Sequence, residues 1–109
     1  MPNNEQPHEW PAQVQRELRR FAEARDWPRY HSPRNLILAL VGEVGELAEL
    51  YQWDPPEPPP MDRVAEEVAD VLIYLLRFAD VAGVDVAKAV AAKIARNEQR
   101  FPPIEGRSA

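Results

Sequence analysis

At 109 residues the chain has room for one domain, which would bury roughly two-thirds of the surface its unfolded form exposes. Its 45% hydrophobic content is too high for disorder, yet no uninterrupted apolar run approaches the roughly 20 residues of a membrane span, so it reads as soluble and globular. The formal charge of −5, with no basic stripe to offset it, argues against a nucleic-acid partner and means that an anionic small molecule would need a bridging cation.

The opening MPNNEQPHEW lacks the basic start and apolar stretch of a signal peptide, and the chain has no cysteine, so a cytoplasmic setting is expected. Residues 1–8 and 104–109 read as flexible ends around a single domain over residues 9–103. Four segments carry helical periodicity and none shows the alternation of a strand, which makes the fold class all-α. The first helix is expected from about Pro11 to Asp26, with Val14, Leu18, Phe21 and Ala22 on one face. The connector WPRYHSPRN leads to a second helix from Asn35 to about Gln52. The run DPPEPPP, residues 54–60, can only be a stiff extended link to a third helix over about Asp62 to Val81, closed by Gly83. Asp85 is placed to cap a fourth helix that runs to about Arg100 and stops before Pro102 and Pro103. The LILALV stretch of the second helix is more apolar than one small core can cover, so a second subunit is expected over it. Gly42 and Gly45 lie inside that helix, where each costs roughly 0.5 to 1 kcal/mol relative to Ala, and are read as admitting the close approach of a neighbouring helix or a ligand.

The acids are the anomaly. Glu43 falls on one stripe with Leu36, Leu40, Leu47 and Leu50, the spacing of a core-facing side, and Glu46 stands one turn on. In the third helix Glu67 shares its stripe with Val64, Val71, Tyr74 and Phe78, with Asp70 three residues later. A desolvated, unpaired carboxylate costs several kcal/mol, comparable to the whole stability of a small domain. Two inward acid pairs therefore point to a bound metal. With only two histidines, His8 and His31, and neither in these helices, zinc and di-iron chemistry lack their usual ligands. Mg²⁺ is the expected ion, with Mn²⁺ also suited, since both accept carboxylate oxygens and bridge to phosphates.

Other residues could serve a nucleotide. Trp27 in the first connector and Trp53 at the end of the second helix could stack on a base, although packing at helix ends is the plainer reading of each, and His31 in the same connector is more readily a satisfied polar residue than a catalyst. Tyr74 is one turn beyond Asp70 on the same face, where a core role is the plainer reading. Lys93, Asn97 and Arg100 share one face of the fourth helix and could grip phosphates or simply be solvated.

Three strings, RDWPRYHSPRNLILALVGEVGELAELYQW, EEVADVLIYLLRFAD and KIARNEQRFP, together resemble the MazG-like all-α NTP pyrophosphatases, most closely the dCTP pyrophosphatase branch. The shared signature is Glu-x-x-Glu followed by Glu-x-x-Asp, here Glu43 and Glu46, then Glu67 and Asp70, with 20 residues between the pairs. The resemblance implies a compact four-helix bundle protomer assembled as a dimer or tetramer, with sites where protomers meet. It also implies hydrolysis of a nucleoside triphosphate, such as dCTP or a modified dCTP, to monophosphate and pyrophosphate for sanitation of the nucleotide pool. By position, Glu43, Glu46, Glu67 and Asp70 would hold the metal, and Trp27, His31, Trp53, Tyr74, Lys93 and Asn97 would contact the nucleotide. The mechanism expected has Glu46 or Glu67 as the base that deprotonates water and Lys93 as the group that steadies the departing pyrophosphate. Two rivals stand beside it: a non-catalytic helical nucleotide-sensing or oligomerisation module, and a pyrophosphohydrolase with another nucleotide substrate. There is no Walker loop, no Rossmann glycine fingerprint, and serine occurs only at positions 32 and 108, which leaves no nucleophile triad.

Overall fold

A computed structural model describes residues 9–52 and 58–107. Helix α1 spans Trp10–Ala24, a single 3₁₀ turn covers Pro28–Tyr30, and α2 (Pro33–Glu49), α3 (Met61–Ala82) and α4 (Val86–Arg100) follow. The described residues contain no strand, so the all-α expectation holds.

Local chemistry sets the ends of these helices. Pro11 sits in the first turn of α1, where a missing N–H costs nothing. The helix stops earlier than its periodicity suggests because Asp26 turns to a left-handed φ of 55°. Trp27 N–H then donates to Ala22 O at 3.0 Å and Asp26 N–H to Glu23 O at 3.2 Å, the paired bonds of a Schellman end. Gly83 does the same for α3 with φ 80°, Val84 N–H reaching Ala79 O at 2.8 Å. Ser32 caps α2, which begins at Pro33, two residues before the expected start; its Oγ accepts from Asn35 N–H at 3.1 Å, while Asn35 Nδ2 donates back to Tyr30 O. The second helix also ends at Glu49 rather than Gln52, with Tyr51 and Gln52 in turns. Asp85 caps α4 as its position foretold, its Oδ1 accepting from Lys88 N–H at 3.0 Å. Of the proline run, Pro60 is extended, and residues 53–57, Trp53 among them, lie outside the described residues.

Helix α2 lies along α3, and α1 packs on the C-terminal half of α3. Leu36, Leu76, Ala22 and Ala79 are the buried apolar residues at this junction. Each leucine contributes about 1.5–3 kcal/mol by leaving water. Two polar groups are buried with them: Gln15 Nε2 donates to Leu76 O at 2.9 Å, tying α1 to α3, and Arg77 faces the connector. The α4 helix touches α1 and carries no buried residue. Ile37, Val41 and Val44 of α2, and Val68, Leu72 and Leu75 of α3, form exposed apolar stripes that no described element covers. Gly42 and Gly45 correct an expectation within the described residues: a Cβ built on either meets nothing within 4 Å, so no described element of the protomer approaches them.

Candidate functional site

The inward stripes of α2 and α3 meet, and they bring their acids together. Glu43, Glu46 and Glu67 each place a carboxylate oxygen within 4.8 Å of the others, although 20 residues lie between Glu46 and Glu67 in the chain. Leu36, Leu40, Leu47 and Leu50 are buried or half-buried along the same side of α2, and Val64, Val71, Tyr74 and Phe78 are half-buried along α3. The helical spacing thus located the two half-buried acids, Glu43 and Glu67, while Glu46 remains open to solvent.

This cluster is electrostatically unsatisfied. Glu43 Oε2 and Glu67 Oε2 are shut off from solvent with no hydrogen-bond partner among the described residues. Burial, and then the negative charges of Glu46, Asp70 and Glu67, push the Glu43 carboxyl above the ordinary glutamate range. Burial also raises Glu67, followed by the charges of Glu46 and Asp70, with Arg63 acting weakly the other way. A set of three hard oxygen donors with two orphaned oxygens and no histidine or cysteine among them has the chemistry of a site for a hard divalent cation. Asp70 lies one turn along α3 from Glu67; its charge acts on Glu43 and Glu67, but its oxygens are not part of the tight trio.

From Asp70 the site opens into an aromatic cleft of about 310 Å³ between α1, the connector and α3. Trp27, His31 and Tyr74 line it, with Leu18, Phe21, Ala22, Ile73 and Arg77 in its walls. The Schellman end of α1 swings Trp27 against Phe21, ring centroids 5.6 Å apart and edge to face, and His31 stands edge-on to Trp27 at 6.2 Å. His31 Nδ1 accepts from Arg77 Nε at 3.0 Å. Partial burial, then the Arg77 charge, lowers the His31 pKa below the usual imidazole value. The cleft is apolar enough for a flat ring and meets the acids at one edge, an arrangement suited to a ligand with an aromatic end and an anionic end.

Phe21 and Arg77 were missed as site residues because one reads as part of a core stripe and the other as a solvated charge. The signal for Arg77 was present: it stands three residues after Tyr74 and seven after Asp70, hence on the same helical face. Lys93 and Asn97 are not brought to this cleft within the chain. With Arg96, Gln99 and Arg100 they border a separate shallow depression formed by α4 alone, and every residue of it is exposed. No helix among the described residues is long and apolar enough to cross a membrane.

The family described as the MazG nucleotide pyrophosphohydrolase domain matches residues 31–104. Two curated relatives are called dCTP pyrophosphatase 1: the Bos taurus protein is 52% identical over 90 residues, covering 75% of this chain and 53% of the relative. The Homo sapiens protein is 50% identical over 96 residues, covering 81% of this chain and 56% of the relative. The chain thus spans about half the length of the curated relatives it matches. A crystal structure described as a pyrophosphatase from Archaeoglobus fulgidus DSM 4304 superposes with a TM-score of 0.75 at 34% identity, over 94% of this chain and 100% of that one.

Proposed function

The chain belongs to the MazG nucleotide pyrophosphohydrolase family, and from that premise we propose that it is a cytoplasmic, divalent-cation-dependent hydrolase that cleaves dCTP, or a modified dCTP, to dCMP or its modified counterpart and pyrophosphate. The observation that carries this reading is the junction itself: an unsatisfied trio of carboxylates opening, through Asp70, into a cleft lined by Trp27, His31 and Tyr74.

Glu43, Glu46 and Glu67, with Asp70 beside them, hold the ion, with Mg²⁺ favoured and Mn²⁺ an alternative because both take oxygen donors and phosphate. Once bound, such an ion supplies positive charge against the triphosphate and Lewis acidity at the reacting phosphoryl group. The chain's own residues do the rest. Trp27 and Tyr74 hold the base, with Phe21 bracing Trp27 from behind, and His31 faces its edge. Trp53 is assigned to the same pocket from its place in the sequence alone. Water oxygen bonds to the α-phosphorus as the bridging α–β oxygen bond breaks, and pyrophosphate departs with the bond's electron pair. The proton lost by the water passes to a carboxylate oxygen of Glu46, the member of the trio open to solvent, and from there to bulk. Glu67 is the second candidate for that proton, the role falling to whichever of the two is not fully occupied by the ion.

Lys93 and Asn97 reach the triphosphate from a second copy of the chain in this reading. The exposed polar face of α4 and the uncovered apolar stripes of α2 and α3 support assembly as a dimer or tetramer. The test is a panel of canonical and modified NTPs and dNTPs assayed for pyrophosphate release with and without Mg²⁺. Highest kcat/KM on dCTP or a modified dCTP, lost on chelation, is the expected result. Nucleotide binding with no pyrophosphate from any substrate would overturn it in favour of a sensing module.

A further inference from the structure

Arg77 and His31, which line the cleft, belong to a run of charged and polar groups that reaches back to α1, and the hydrolytic scheme gives Arg19, Arg77 and Asp80 no part. Arg19 on α1 donates to Asp80 through both Nε, at 3.1 Å, and Nη2, at 2.6 Å. Asp80 in turn accepts from Arg77 Nη1 at 3.4 Å, and Arg77 Nε donates to His31 Nδ1 at 3.0 Å. Arg77 is the one cation buried among the described residues, and its side chain lines the cleft beside the imidazole. A guanidinium has no acceptor and keeps its protons, so the Nδ1 it faces must be the unprotonated nitrogen of the ring. A neutral imidazole with a bare Nδ1 carries its hydrogen on Nε2, and Nε2 has no partner among the described residues.

Resting on the nucleotide reading of the cleft, we infer that Arg77 is a positioning residue that holds His31 as the neutral Nε2–H tautomer, so that the imidazole presents a hydrogen-bond donor to the edge of the bound base. The planar fork of Arg77 suits the task, since Nε and Nη1 point to different partners at fixed angles and Asp80 fixes the guanidinium from behind. Arg19 fixes Asp80 through its two bonds, which anchors the whole relay on α1. The lowered proton affinity of His31, set by burial and then by the Arg77 charge, agrees with this arrangement. The consequence is selective: a donor-only contact favours a base edge that offers an acceptor and is left unpaired by one that offers N–H.

The experiment uses the full chain labelled with nitrogen-15 histidine, without nucleotide, and reads the tautomer of His31 from long-range proton–nitrogen correlations at neutral pH. His31→Gln assigns the signals, since His8 is the only other histidine. The wild type is expected to show Nε2–H alone, and Arg77→Met to show a mixture of the two tautomers. In kinetics, Arg77→Met and His31→Gln are each expected to raise KM for the preferred nucleotide roughly tenfold, about the worth of one lost hydrogen bond, with little change in kcat. An Nδ1–H signature in the wild type, or an unchanged tautomer in Arg77→Met, would overturn the positioning role. If Arg77→Met does not fold, Arg77→Leu is read in its place with the same two outcomes. A His31 held as Nε2–H in an enzyme whose KM ignores both substitutions would instead sink the reading of the cleft as a base site.

Discussion

Replacing Asp80 by Asn keeps its size and removes the charge that joins α1 to α3, and the structure sets how much stability that charge supplies. The Arg19 side chain is 48% exposed, so although its contact with Asp80 is short and doubled, solvent screening holds its worth to about 0.5–1 kcal/mol. The Arg77 and Asp80 side chains are only 9% and 17% exposed. Their contact is long at 3.4 Å, yet removing the charge leaves a buried guanidinium with His31 as its remaining partner, a loss of about 1.5–2 kcal/mol. The two contributions sum to about 2–3 kcal/mol, which for a domain near this size lowers Tm by roughly 10–20 °C. Urea unfolding followed by circular dichroism measures it, with Arg19→Met as a control expected to lose only about 0.5–1 kcal/mol. If Asp80→Asn unfolds within about 0.5 kcal/mol of wild type, or no lower than Arg19→Met, the relay from α1 to the cleft has no energetic substance.

Three further outcomes follow from the same geometry. Because burial and neighbouring acids raise the folded-state pKa of Glu67, the metal-free protein holds protons there more tightly than its unfolded chain does. That contribution is present at low pH and is lost as pH rises through the folded value, so Glu67→Gln is expected to gain stability relative to wild type from about pH 4.5 upward, as denaturant midpoints across pH would record. Gly42→Ala, at a helix-interior site where a Cβ meets nothing within 4 Å, is expected to stabilise the isolated chain by about 0.5–1 kcal/mol. A loss of stability or of assembly, read by denaturation and light scattering, would mean that a second copy approaches that position. Ser32→Ala removes the hydroxyl that accepts from Asn35 N–H and is expected to cost about 1 kcal/mol in chemical denaturation.

What the sequence made legible, and what it did not, divides along one physical line. Helical period places residues on faces, so the meeting of Glu43 with Glu67 could be read from two stripes in which an anion stands where leucine or valine belongs. Caps followed the same local logic at Asp85 and Gly83. The end of α1 did not, because aspartate took the left-handed position that glycine usually fills, and that substitution is what turns Trp27 onto Phe21. Facing between helices is a tertiary matter that periodicity does not encode. Periodicity puts Lys93 and Asn97 on one face of α4 but does not show that α4 stands away from the acids, and it puts Arg77 on the face of Tyr74 and Asp70 without showing that it is buried against His31. The two glycines of α2 show the same limit, since the pattern asks for a close neighbour and this chain supplies none.

The decisive measurement is a calorimetric titration of Mn²⁺ into the metal-free protein, without nucleotide, for wild type and Glu67→Gln side by side. Saturable binding in the wild type, abolished or greatly weakened in the variant, is the predicted result, because the cation is what relieves the orphaned oxygens of Glu43 and Glu67. No binding in the wild type, or equal affinity in the two proteins, would contradict the assignment of these carboxylates as the metal site.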